Sequence, residues 1–275
     1  MALNVGDLVA YLRADDTKLA SGLASAKSKL DSFGESAKAG LKAAGAVAGV
    51  AVGGAIASGV AANLDIGEGR AKLAAQLNLS KEDSARLGEV AGKVYANNWG
   101  DNLDQINDAM RSVGQNIGDV STMSSGELQK VTESALALSS TFDVDLATAT
   151  EAAGKLIKNG LAKDSTEAFD IMTAGFQNGV DRSGDFLDTL NEYSPQFKKL
   201  GIDGEQATAI LSAGLKAGAR DTDTIADAFK EFSLRSIDGS KSTADAFHAI
   251  GMSADYFGQE IAAGGDRANR ATQQS

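Results

Sequence analysis

Few residues in this chain are of the types that carry out chemistry. His248 is the sole histidine and stands three residues after Asp245. A histidine and a carboxylate at that spacing share a helix face and would begin an acid–base pair or a metal site, but either needs further groups converging on them. The serines and threonines lack a nucleophile elbow, and no His-x-x-Glu or Glu-x-x-His spacing offers a zinc pair. His248 therefore reads as a surface or partly packed histidine. The carboxylates from Asp101 to Asp108, and Asp221, Asp223 and Asp227, are hard-cation donors by type. Without calcium-loop spacing they read as helix caps and solvated helix faces.

Gly67-Glu68-Gly69-Arg70-Ala71 and Gly264-Gly265-Asp266 lack the Gly-Lys-Ser/Thr ending of a phosphate loop and read as turns. Trp99, in Asn97-Asn98-Trp99-Gly100, reads as the seal of a local core at a helix–helix turn rather than a partner anchor. With no cysteine in the chain, disulfides and thiolate metal sites are excluded. The residues thus predict no enzyme, no cofactor and no metal.

The elements that would carry these residues are helices. Among 275 residues there are 48 alanines and a single proline, a composition that favours helix because alanine loses least on entering one. Alanine and glycine also make thin cores, which points to repetition or self-association. The net charge is −11, and it is unevenly placed: residues 1–42 hold 6 basic and 5 acidic groups, residues 65–275 hold 20 basic and 32 acidic. Such a surface argues against wrapping nucleic acid, whose affinity rests on lysine and arginine displacing counterions. The first residues, Met1-Ala-Leu-Asn-Val-Gly-Asp, show no basic stretch leading into an apolar run, so no secretory signal is expected.

Three zones follow. In residues 1–42 a short alternating stretch from Leu3 to Arg13 suggests a strand or extended arm. Leu19, Leu23, Ala26, Leu30, Phe33 and Ala37 then recur at spacings of 4, 3, 4, 3 and 4, a heptad seam suited to packing within one chain or between chains. Residues 43–64 carry no charge and are mostly Ala and Gly. Gly45, Gly49, Gly53, Ala57 and Ala61 fall every four positions, which lets helix backbones approach closely. This reads as a flexible or helix-packing segment, with the stripe suited to packing against copies of itself. Its length would also span a bilayer, which leaves a membrane-active, pore-forming helical protein as the alternative reading.

From about residue 67 a marker recurs: a hydrophobic, a small or polar residue, a second hydrophobic, then a capping Ser or Asp. The four copies are Leu77-Asn78-Leu79-Ser80, Phe142-Asp143-Val144-Asp145, Leu200-Gly201-Ile202-Asp203 and Ile250-Gly251-Met252-Ser253. Asp101, Asp164 and Asp221 supply caps for a second helix in each unit. A third helix is predicted over 125–141, 183–200 and 243–250. Asn159-Gly160, Asn178-Gly179, Ala217-Gly218 and Asp238-Gly239 fit left-handed helix ends. Pro195 is expected to start or kink a helix rather than sit inside one. The predicted fold is all-α: an arm over 1–42, a Gly/Ala-rich apolar helix over 43–66, and irregular three-helix repeats over 67–275, with the fourth unit incomplete.

Ala217-Gly218-Ala219, Asp221-Thr222-Asp223, Ile225-Ala226-Asp227-Ala228-Phe229-Lys230-Glu231-Phe232 and Arg235-Ser236-Ile237-Asp238 together resemble the helical region of phage tail tape measure proteins. Glu192-Tyr193-Ser194, the Leu200-Gly201-Ile202 marker and Ala263-Gly264-Gly265-Asp266 follow the same family in the same order. Leu8-Val9-Ala10-Tyr11-Leu12-Arg13-Ala14-Asp15 and Gly22-Leu23-Ala24-Ser25-Ala26 are similar to the way these proteins begin. The resemblance implies a structural virion component that fills the tail-tube lumen, sets tail length and leaves ahead of the genome at infection. It implies as partners further copies of the chain, tail tube and tail-tip proteins, tail assembly chaperones and, in some cases, the host membrane at infection, without sequence-specific nucleic acid binding. It implies the host cytoplasm during assembly and the virion tail afterwards. Tape measure proteins are usually much longer: one continuous helix of this chain would reach only about 410 Å at 1.5 Å per residue. A truncated or partial product is therefore expected.

Overall fold

The computed structural model describes residues 66–274, of which all regular structure is helical. The helices are α1 (Ile66–Leu77), α2 (Lys81–Ala96), α3 (Leu103–Asn116), α4 (Ser125–Phe142), α5 (Leu146–Lys158), α6 (Ser165–Gln177), α7 (Phe186–Lys199), α8 (Gly204–Lys216), α9 (Thr222–Arg235), α10 (Lys241–Ala249), α11 (Ala254–Ala263) and α12 (Gly265–Gln274). Their starts are set by side-chain caps. Ser80, Asp145, Asp164, Asp203, Asp221 and Ser253 each accept a hydrogen bond from the backbone N–H three residues on, satisfying one of the free amides of a first turn. The cap expected at Asp101 is instead its neighbour Asn102, and the Asp101 amide donates to the Gln105 side chain.

The recurring marker is one compact joint. Its second position lies in the left-handed region every time: Asn78 at φ 51°, Asp143 at 54°, Gly201 at 69° and Gly251 at 77°. The next amide donates back to a carbonyl five residues earlier, Leu79 to Ala74, Val144 to Ser139, Ile202 to Phe197 and Met252 to Phe247. That is a Schellman end, which closes one helix and lets the following hydrophobic residue fold onto the core just before the next cap. Leu79, Val144 and Met252 pack partly buried against the core and Ile202 lies within it. At Asp143 the left-handed backbone carries a side chain that disfavours it. Asp143→Gly is therefore expected to raise stability by about 1 kcal/mol, read as a higher urea midpoint at unchanged slope.

Packing does not follow the three-helix spacing of these joints. Through α9 the odd helices form one row, α1 on α3, α3 on α5, α5 on α7 and α7 on α9. The even helices form a second row, α2 on α4, α4 on α6 and α6 on α8, and successive helices from α1 to α6 pack across the rows. Joints precede α2, α5, α8 and α11, so their helices fall alternately in the two rows. The reason is that each helix must bury an apolar stripe against neighbours on more than one side, and two rows of stacked helices give it those neighbours. Leu87, Ile106, Met110, Leu128, Leu156, Met172, Phe186, Leu190, Phe197 and Leu211 are fully buried between the rows or within them.

Two local expectations are corrected. Gly67-Glu68-Gly69-Arg70-Ala71 is not a turn but the body of α1. A Cβ at Gly69 would stand 2.9 Å from Asn107 Nδ2, so the glycine sits where α1 lies against α3. Pro195 lies inside α7, not at its start. It faces solvent, while Phe186, Leu187, Leu190, Tyr193 and Phe197 are buried from the same helix. Burial of such side chains is worth about 1.5–3 kcal/mol each, enough together to offset the roughly 3 kcal/mol an interior proline costs.

Candidate functional site

No cluster of three or more His, Cys, Asp or Glu side chains fit to hold a metal occurs among the described residues. His248 is exposed in the last turn of α10, and Asp245 pairs with Lys241 at 2.7 Å instead. In the Asp101 to Asp108 stretch, Asp104 occupies the first turn of α3, where a negative charge suits the helix dipole, and Asp108 pairs with Arg111 at 3.2 Å. Asp221 caps α9 and pairs with Arg220, Asp223 accepts from Tyr193, and Asp227 meets Lys230 at 3.1 Å. Of the turn expected at Gly264-Gly265-Asp266, Gly264, at φ 71°, links α11 to α12, while Gly265 and Asp266 already begin α12. Trp99 is half-buried against the core, its amide donating to Val94 at the end of α2.

The most developed polar arrangement joins α7 to α9. Thr189 and Thr222 share a buried hydroxyl contact of 2.8 Å. Asp185 Oδ2 accepts from the Asp223 amide at 3.0 Å, so α9 has one first-turn donor satisfied by its own cap and another by the neighbouring helix. The Tyr193 hydroxyl donates to Asp223 Oδ1 at 3.0 Å, and the Lys230 ammonium stands 5.6 Å from the Tyr193 ring centre. Burial, the bond to Asp223 and the surrounding carboxylates push the Tyr193 phenol well above its ordinary value, so it stays a donor. These bonds position α7 and α9 against each other.

The carboxylates of this region titrate in opposite directions. Burial works against ionised Asp185, but bonds from Ser183, the Asp223 amide and Thr222 outweigh it and hold its carboxyl below the usual range. Hydrogen bonds from Thr224 and Arg220 hold Asp221 at about 2. Their contributions are full above the unfolded carboxylate value and are lost as pH falls through these depressed values. Asp181 behaves oppositely: burial, only partly offset by the Phe186 amide, together with Asp185 and Asp188, raises it. Its ionised form costs stability above that raised value. Asp181→Asn keeps an acceptor for the Phe186 amide and is expected to raise Tm at pH 7, with the gain vanishing near pH 3, where wild-type Asp181 is protonated folded and unfolded alike.

Sequence reasoning missed Arg86. Its guanidinium donates to the carbonyls of Met123 at 2.8 Å, Val120 at 2.7 Å and Ser121 at 3.2 Å, clasping the connection between α3 and α4 to α2. In sequence only its ion pair with Asp83 three residues earlier could be seen. A groove of about 900 Å³ lies on the even row, with Lys130, Lys163 and Lys216 facing Glu167, Asp170 and Glu205. Its mixed charge builds no single-sign field. The heptad seam (Leu19 to Ala37) and the small-residue stripe (Gly45 to Ala61) lie outside the described residues. Among the described residues no helix is long and apolar enough to cross a membrane.

This helical chain is similar to known phage proteins. It is 34% identical over 197 residues to a probable tape measure protein of Streptomyces phage phiC31, a stretch covering 71% of this chain and 26% of that relative. The chain thus spans about a quarter of the length of the curated relative it matches. No solved structure matches it. Residues 93–268, from the second half of α2 into α12, match the family described as phage-related minor tail protein, and with that match covering most of the two helical rows the chain belongs to this family.

Proposed function

We propose that this protein acts as a tail tape measure: a structural component of the tail lumen whose helical mass sets tail length and which leaves before the genome. The observation that carries the reading is the similarity to a probable tape measure protein across 71% of the chain. The two-row architecture supports it, because successive helices add length by the same packing rule and whole helices can be gained or lost without a catalytic centre to disrupt. The acidic balance of residues 65–275 supports it as well, since a net negative surface does not grip a passing genome. The role is non-enzymatic. Its partners are further copies of the chain, the tail tube and tail-tip proteins, tail assembly chaperones in the host cytoplasm and, at infection, the host membrane.

Removing residues 146–216 in frame from the phage gene, which deletes α5 to α8 and so two helices from each row, tests this reading. Tails measured by electron microscopy should shorten, by at most about 107 Å if the deleted stretch runs as continuous helix in the lumen. Intact tails of unchanged length would refute the role.

A further inference from the structure

The row pattern stops after α9. The α10 helix packs chiefly on α11, α11 on α10 and α12, and α12 returns to touch α7. This end of the molecule is thinly held. Its buried apolar residues are Phe247, Phe257, Ile261, Ala268 and Ala271, of which two are alanines. Among the described residues, the large hydrophobics that remain exposed, Leu234, Ile237, Ile250 and Tyr256, all fall at or within it, with Ile250 and Tyr256 each 61% exposed.

Attachment to the rest of the fold runs through few points. The Phe257 ring meets Phe232 of α9 edge-on with centroids 5.9 Å apart. Gly265 lies against Gly201 so closely that a Cβ there would stand 2.1 Å from the Gly265 oxygen. Asn269 Nδ2 donates to the Gly201 carbonyl at 2.7 Å and to Gln206 Oε1 at 3.3 Å. Beside these bonds α12 leaves a cavity of about 380 Å³, with Asn269, Thr272 and Gln273 on one side and Ile202, Ile210 and Phe229 on the other. The link from α9 to α10 is short and includes Gly239 in the left-handed region at φ 66°.

We infer that α10, α11 and α12 form a strap that opens as one unit about the 237–240 link while α1 to α9 stay folded, uncovering Ile202, Ile210 and Phe229 at the end of the two rows. A small buried core, an open groove along the seam and attachment through few points are the features that place a segment at the low end of local stability. The three helices move together because the Phe247 and Phe257 rings pack against each other with centroids 4.6 Å apart and planes tilted by 37°, and α11 packs along α12.

Amide hydrogen exchange of the whole chain in low urea tests this. Amides of α10 to α12 should share one urea dependence and show protection at least about tenfold below α3 to α7. Asn269→Ala removes both bonds and should lower protection in all three helices together by about fivefold or more, the value of at least one hydrogen bond, and leave α3 to α7 unchanged. Unrelated exchange in the three helices, or equal loss of protection in α3 to α7, would overturn the inference.

Discussion

Gly154→Ala is expected to destabilise the protein by about 3 kcal/mol or more. The added Cβ would stand 2.1 Å from the Asn116 carbonyl oxygen, a backbone atom that no side-chain rotation can move. Asn116 ends α3 and is itself held, because its Nδ2 donates to Thr150 Oγ1 at 2.9 Å and that hydroxyl contacts Ser112 at 3.2 Å in the buried seam. Relief therefore requires α3 and α5 to separate, and that seam lies in the odd row that runs from α1 to α9. Urea unfolding measures the effect. A loss under about 1 kcal/mol would mean that the helices are not so closely packed.

Phe186→Ala is the second large effect, with an expected cost of about 3–5 kcal/mol. The side chain is fully buried at the start of α7. Its ring meets Phe176 of α6 edge-on at 5.4 Å, and Phe176 stacks on Phe142 of α4 at 4.6 Å. Three consecutive aromatic rings thus tie the even row to the odd one across a connection, 178–185, where α6 and α7 themselves make little contact. Phe186→Leu keeps most of the volume and should cost less than about 1.5 kcal/mol. Equal losses in the two variants would show that the cavity is not what matters. The thermal midpoint separates them, at about 2–4 °C per kcal/mol for a domain of this size.

Helix starts, helix ends and the joints between them could be read from the sequence by itself. Ser80, Asp145, Asp164, Asp203, Asp221 and Ser253 bond to amides three residues away, and the left-handed turns at Gly160, Gly179, Gly201 and Gly218 bond within six residues. Such interactions are fixed by residue type and local spacing. The acidic balance was equally open to reading, and the order of family-like motifs led to the tail protein family that the matches bear out. The tertiary structure alone decided the two rows, the helix around Gly67 and Gly69, the proline carried within α7, the Arg86 clasp and the Tyr193–Asp223 seam. Arg86 reaches carbonyls 34 to 37 residues on, and Tyr193 a carboxylate 30 residues on. Local spacing carries no record of such pairs, because they form only once helices stack, and the apolar burial gained in stacking overrides local preferences such as that of Pro195.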